Sequence, residues 1–203
     1  MTRTTFREWR ALAPVAAGCI HALCFAPGPL PALALPYVEL FSLAVLAYIV
    51  FTSHTVRRAA WATFLFGLGN FTLGLYWIFV SVHDYGGLAT PLSVAAVVLL
   101  AAASSLYLVL AAALARWLAA PVLPVPQNWR LHALTGAVWA SAWTGAEWLR
   151  GTLFTGFPWM NIGYAHLDGV LAPWAPVVGV YGVAWLAAFA AGAIALFAAA
   201  ANT

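Results

Sequence analysis

The sequence predicts an all-α fold: a polytopic membrane bundle of about six transmembrane helices, with a non-helical aromatic and glycine-rich segment on its outer side. Three observations predict it. Hydrophobic residues fill 65% of the 203 positions and charged residues only 6%, a composition that would leave apolar surface uncovered in water. The apolar residues fall into six runs, most of them near the roughly 20 residues that a spanning helix needs. The few charges, none of them lysine, lie mostly between those runs. The whole of 1–203 reads as one transmembrane helical domain.

The runs follow in order. The first, 11–25, is short and interrupted by Pro14. Its lead-in, "MTRTTFREWRALAPVAAGC", has a basic start and a small-residue approach to Cys19, loosely like a lipoprotein signal. The apolar core is short, however, and Ala16 stands where a larger aliphatic is usual, so an uncleaved helix is expected. Cys19 and Cys24 are five apart and point to different helix faces, as small apolar fillers rather than a disulfide or metal pair.

The second run is 33–51 and the third 59–82. In the third, Gly67, Asn70, Gly74, Trp77 and Ser81 recur at spacings of three and four and share one face. Small and polar residues on one stripe let a neighbouring helix approach closely and offer Asn70 a partner. At its outer end, "LYWIFVSVHDYGG" brings Tyr76, Trp77, His83, Asp84 and Tyr85 to the interface, where aromatic rings anchor helices. His83 beside Asp84 reads either as an acid–base pair or as a solvated side chain.

The fourth run, 92–119, is long enough to tilt. The fifth, 131–149, places Gly136, Trp139, Trp143, Glu147 and Arg150 close to one face. A carboxylate at membrane depth is costly unless paired, and Glu147 has Arg150 one turn later. The sixth run is 174–200. Between the runs stand "APGPLP", "TSHTVRR", "HDYGGLATP" and "PVLPVPQNWR", all with turn chemistry.

The last break is "EWLRGTLFTGFPWMNIGY", residues 147–164. Gly151, Gly156, Pro158 and Gly163 rule out a continuous helix. Backbone broken in this way cannot face lipid unsatisfied, so it lies at the outer interface or lines a cavity inside the bundle. Phe157, Pro158, Trp159 and Tyr164 are expected to form a wall of that cavity, with Tyr76, Trp77, His83 and Tyr85 facing them. Glu147 and Arg150 are expected to act as a paired clamp at the segment's start. No Ser/His/Asp or metal-spaced set appears, so no catalytic residue, metal or cofactor is assigned.

Orientation follows from the arginines. With the amino terminus cytoplasmic, seven of the eight arginines fall inside, and only Arg150 falls outside, with Asp84, Glu147 and Asp168. Both ends of the chain are then cytoplasmic. The net charge of +3 is spread singly or in pairs, which is no nucleic-acid footprint.

Three stretches, "GLYWIFVSVHDYGG", "EWLRGTLFTGFPWMNIGY" and "PVVGVYGVAWL", resemble the membrane part of the apolipoprotein N-acyltransferase family, in the same order and on a matching helix pattern. The resemblance implies a multi-pass protein of the bacterial inner membrane that serves lipoprotein maturation. It implies a phospholipid, typically phosphatidylethanolamine, as acyl donor and the α-amino group of a diacylglyceryl-cysteine as acceptor. It implies that a Glu–Lys–Cys triad does the chemistry, in a periplasmic nitrilase-like domain between the seventh and eighth helices.

The sequence departs from that pattern after the sixth run. It ends at "AAAANT" without the polar, arginine-bearing flank of the other cytoplasmic ends, and is expected to be a fragment. A triad with a lysine cannot be built from a chain without one, and a thiol among hydrocarbon, as at Cys19 or Cys24, carries little thiolate. The chain alone is therefore expected to be inactive. The alternative is a stand-alone lipid-binding or anchoring module for a separate catalytic partner. A small transporter fits less well, because no internal repeat and no line of buried ionisable groups is visible.

Overall fold

The computed structural model describes residues 3–25, 28–121, 123 and 128–202. Parts of two predicted turns, 26–27 and 124–127, lie outside the described residues, as do the side chains of Arg3, Arg7 and Arg10.

Among the described residues the chain forms seven α-helices: α1 (Arg3–Ala22), α2 (Leu35–Thr52), α3 (Val56–Gly74), α4 (Tyr76–Val80), α5 (Thr90–Leu118), α6 (Trp129–Thr152) and α7 (Ala175–Ala201). Their starts carry ordinary start signals. Thr55 accepts from Arg58 N at 3.2 Å ahead of α3, and Asn128 accepts from Leu131 N at 3.0 Å ahead of α6. Proline stands in the first turn of α2, α5 and α7, where its missing N–H would have no partner anyway.

Each predicted run contains a helix, but not every helix is long and apolar enough to cross a membrane. Among the described residues three meet that standard, those over Ala32–Thr52, Thr90–Leu118 and Ala172–Ala201. A fourth is counted if α3 and the run Tyr76–Tyr85, bent by 52° at Leu75, make one span. The run at 11–25 yields an apolar stretch of only Leu12–Ala22, although α1 itself reaches back to Arg3. The α6 helix dilutes its apolar residues with Trp, Gly, Ser and Thr and carries Glu147 and Arg150.

The helices close into a ring in the order α1, α3, α5, α6, α7, α2. Small residues set the spacing. A Cβ at Gly18 would overlap the Phe66 carbonyl of α3, and a Cβ at Gly69 would sit 3.2 Å from Cys19 N of α1. In α5 the large apolar residues Leu99, Leu106 and Leu110 face outward, whereas Ser93, Ser104 and Ser105 are buried. That pattern inverts a water-soluble bundle and suits a lipid surround. The interior is filled by Trp139, Trp143, Phe51, Phe66 and Phe71 among many alanines.

At one end of the bundle, Arg116 Nε at the close of α5 donates to the Ser53 carbonyl at the close of α2 (3.0 Å). The opposite end carries the turn into α5 and the broken segment after α6. The five residues Ser81–Tyr85 form a π-helical turn, and the chain then folds back so that Leu88 N reaches the Val82 carbonyl at 3.0 Å.

Two sequence expectations are corrected here. The Gly67–Ser81 stripe is not one continuous face, because the helix breaks at Leu75 (φ −105°, ψ 18°). Gly67 meets Ser105 of α5, whereas Gly74 meets a different element. Asn70 is buried, yet its Oδ1 has no hydrogen-bond partner among the described residues.

Candidate functional site

The site is built from the end of α6 onward. After Thr152 the backbone reverses through Phe154 (φ 52°), Thr155 (φ 73°) and Gly156 (φ 83°). A non-glycine residue at positive φ is uncommon and persists only where surrounding contacts hold it. Here the contacts are explicit. Phe157 N donates to the Arg150 carbonyl at 2.7 Å. Arg150 Nη1 donates to the Phe157 carbonyl at 2.7 Å and also to the Trp159 carbonyl, while its guanidinium lies 5.1 Å from the centre of the Phe71 ring.

Glu147, one turn earlier, holds the next residues. Asn161 Nδ2 donates to Glu147 Oε2 (2.9 Å), and Ile162 N donates to Glu147 Oε1 (3.1 Å). Asn161 Oδ1 in turn accepts from Gly163 N at 2.9 Å, which starts the short 3₁₀ turn Ile162–His166. That turn ends at His166, whose Nε2 lies 2.9 Å from Glu39 Oε2 of α2.

The expected Glu147–Arg150 pair is therefore corrected. Both side chains are buried, but among the described residues no ion pair within 4.0 Å joins them. Spacing on the helix brings them to one side, and backbone groups of the segment then outcompete each for the other. They clamp the segment separately, Arg150 on its first half and Glu147 on its second.

The segment walls a cavity of about 990 Å³. Tyr76, Trp77, Pro158, Trp159 and Tyr164 are among the residues that line it. Trp77 of α4 and Trp159 of the segment meet at the wall, with ring centres 5.7 Å apart. Phe157 does not line the cavity; it stacks behind Trp159 at 5.4 Å and 15° between planes. Glu147 and Arg150 lie behind the wall and act through the backbone they hold.

His83 and Tyr85 are not on the cavity. The π-helical turn carries them away: His83 Nδ1 donates to the Leu88 carbonyl at 2.7 Å, and Tyr85 is 87% exposed. His83 Nε2 lies 4.0 Å from Asp84 Oδ1 with both side chains partly exposed, so the two form no tight acid–base pair.

Sequence reasoning missed Glu39, His166, Asn161 and Met160. Glu39 carried a usable signal, since it is the one charge within an otherwise apolar run, and such a group needs a partner. The partner, 127 residues away, had no local signature. His21, buried in the last turn of α1, likewise pairs with Ser42 of α2 at 2.8 Å.

A cavity bounded largely by apolar and aromatic residues, in a bundle whose α5 turns Leu99, Leu106 and Leu110 outward, is suited to a hydrocarbon chain. Comparison with known proteins decides the family. The Apolipoprotein N-acyltransferase N-terminal domain matches residues 17–193. The chain belongs to the apolipoprotein N-acyltransferase family. The apolipoprotein N-acyltransferase of Bordetella bronchiseptica is 51% identical over 190 residues, covering 92% of this chain and 35% of that protein. The Ralstonia nicotianae apolipoprotein N-acyltransferase is 44% identical over 189 residues, 90% of this chain and 33% of that one. The Vibrio cholerae apolipoprotein N-acyltransferase is 35% identical over 189 residues, with 93% and 35% covered. The chain thus spans about a third of the length of these curated relatives and corresponds to the N-terminal membrane domain of the apolipoprotein N-acyltransferase family.

Proposed function

We propose that this bundle is the part of an apolipoprotein N-acyltransferase that receives a membrane phospholipid and presents its acyl chain for transfer to the N-terminal amine of a diacylglyceryl-cysteine. The observation that carries the reading is the cavity of about 990 Å³, walled by Trp77, Pro158, Trp159 and Tyr164. Its size falls in the range of pockets that enclose most of a small ligand, and its lining is largely apolar. Tyr76, Trp159 and Tyr164 are each about half exposed, so the cavity reaches the surface, where a lipid enters from the bilayer.

In this reading the residues named here bind and orient. The Trp77 and Trp159 rings cover the chain, and Glu147 and Arg150 fix the wall. Transfer itself belongs to residues outside this chain, because a Glu–Lys–Cys set requires a lysine and the sequence has none. The protein sits in the bacterial inner membrane, with both ends of this chain cytoplasmic and the turn at Tyr85 and the segment at Trp159 on the outer side.

The test uses the native protein purified from its own membranes, with a phospholipid labelled in its acyl chain and a diacylglyceryl-cysteine peptide. Label appearing on the peptide in an amide linkage is expected. Label staying on the phospholipid while the protein still captures it would favour the lipid-binding module without chemistry. Neither transfer nor capture would overturn the proposal. For orientation, a cysteine placed at Tyr85 should react with a membrane-impermeant thiol reagent in intact spheroplasts, and one at Arg58 should not.

A further inference from the structure

Met160 stands out within the cavity wall. It is not glycine, yet it holds φ 61°, and its side chain is 7% exposed. The bonds on either side explain how the conformation is kept. The carbonyl before it, of Trp159, is held by Arg150, and the side chain after it, of Asn161, is held by Glu147. Two buried groups of α6 thus fix the direction in which the Met160 side chain leaves the backbone.

That direction leads to Gly74, the last residue of α3 before the bend. A Cβ at Gly74 would overlap both Sδ and Cε of Met160, with Cγ 3.7 Å away. The thioether therefore occupies a notch that exists only because residue 74 has no side chain. Gly74 and Met160 both line the cavity. The space available to a ligand depends on whether the thioether stays in its notch.

We infer that the Met160–Gly74 seat sets the length of the acyl chain the cavity accepts. This rests on the lipid-cavity reading above and adds the residues that determine its chain specificity. In the structure the sulfur and terminal methyl of Met160 lie in the notch against Gly74. With a methyl group at residue 74, the flexible, unbranched Met160 side chain is displaced rather than the backbone, and the open space beside it is the cavity. Its sulfur and terminal methyl then fill volume that the end of a long chain would use. The bundle has no reason to unfold, since only the far end of a side chain moves.

The experiment uses the 203-residue chain in phospholipid nanodiscs with a ladder of photoactivatable phosphatidylethanolamines bearing short, medium and long saturated chains. Covalent capture is read by mass spectrometry. The unmodified chain should capture across the ladder. Gly74→Ala should lose the longest chain relative to the shortest by about tenfold, the scale on which an apolar pocket discriminates a methylene group. Met160→Ala, which needs no notch, should shift capture toward longer chains, and Gly74→Ala with Met160→Ala should recover the long-chain capture that Gly74→Ala loses. An unchanged length profile in Gly74→Ala, or a double variant as narrow as the single, overturns the inference and leaves the lipid cavity standing. If the unmodified chain captures none of these lipids, the cavity reading falls and takes the inference with it.

Discussion

Glu39 of α2 and His166 of the 3₁₀ turn lie 2.9 Å apart with no exposed side-chain surface on either, although 127 residues separate them in sequence. With Glu147 on the other side, two carboxylates from two helices hold the same short stretch, from Asn161 to His166, that completes the cavity wall. Removing one member of a buried pair leaves the other unsatisfied, at about 3–5 kcal/mol. Glu39→Ala and His166→Ala should each destabilise the chain on that scale. Replacing both by leucine should recover much of the loss, because two apolar groups leave nothing unpaired. Thermal unfolding of the purified protein in detergent checks this. A double variant as unstable as the sum of the singles would contradict it.

Glu147 acts through both oxygens, one toward Asn161 Nδ2 and one toward Ile162 N. Glutamine offers one acceptor and one donor. Since Asn161 Oδ1 already accepts from Gly163 N, the Asn161 amide cannot turn round to suit it. Glu147→Gln should therefore keep one bond and lose the other, and Glu147→Ala should lose both. The expected order of folded yield and of photolipid capture is the unmodified chain, then Gln, then Ala. Each lost bond leaves a buried N–H donor unsatisfied, at about 1–3 kcal/mol. Equal yield and capture in all three would show that the wall stands without this carboxylate.

Arg150 bonds two carbonyls from one nitrogen and faces the Phe71 ring. Lysine can carry the charge but not the planar group over the ring, and its ammonium is costlier to desolvate. Arg150→Lys should loosen residues 153–159, so that limited proteolysis cuts there faster than in the unmodified protein. The effect should change little with salt, because the group is buried and poorly screened. Cleavage kinetics that match the unmodified chain at low and high salt would count against the clamp.

These contacts also show how far the sequence could be read. The α5 helix is legible because its apolar run is long and uninterrupted, and the break after α6 is legible because Gly151, Gly156, Pro158 and Gly163 leave no helix to form. The bend at Leu75 is not, since no proline marks it and the element packed into it, Met160, lies far along the chain. Glu147 and Arg150 show the limit of spacing. The period of the helix brings them near one another, but it says nothing of the backbone donors and carbonyls that take them instead. The place of His83 depended on a π-helical turn, which has no sequence period that would mark it.

The positive φ angles give a final prediction with opposite signs at two sites. Thr155 is exposed at φ 73°, and Met160 is buried at φ 61°. Holding a non-glycine residue in that region costs about 1–3 kcal/mol, whereas glycine there loses only its extra freedom in the unfolded chain, roughly 0.5–1 kcal/mol. At Thr155 no buried contact is given up, so Thr155→Gly should raise the unfolding temperature. At Met160 the same relief is outweighed by the apolar side chain removed from beside Gly74, where truncating a buried methionine costs about 2–5 kcal/mol. Met160→Gly should therefore lower the unfolding temperature even as it relaxes the backbone. Both variants measured in the same detergent make the comparison internal. If both shift in the same direction, backbone strain and side-chain packing do not divide between these two residues as the geometry requires.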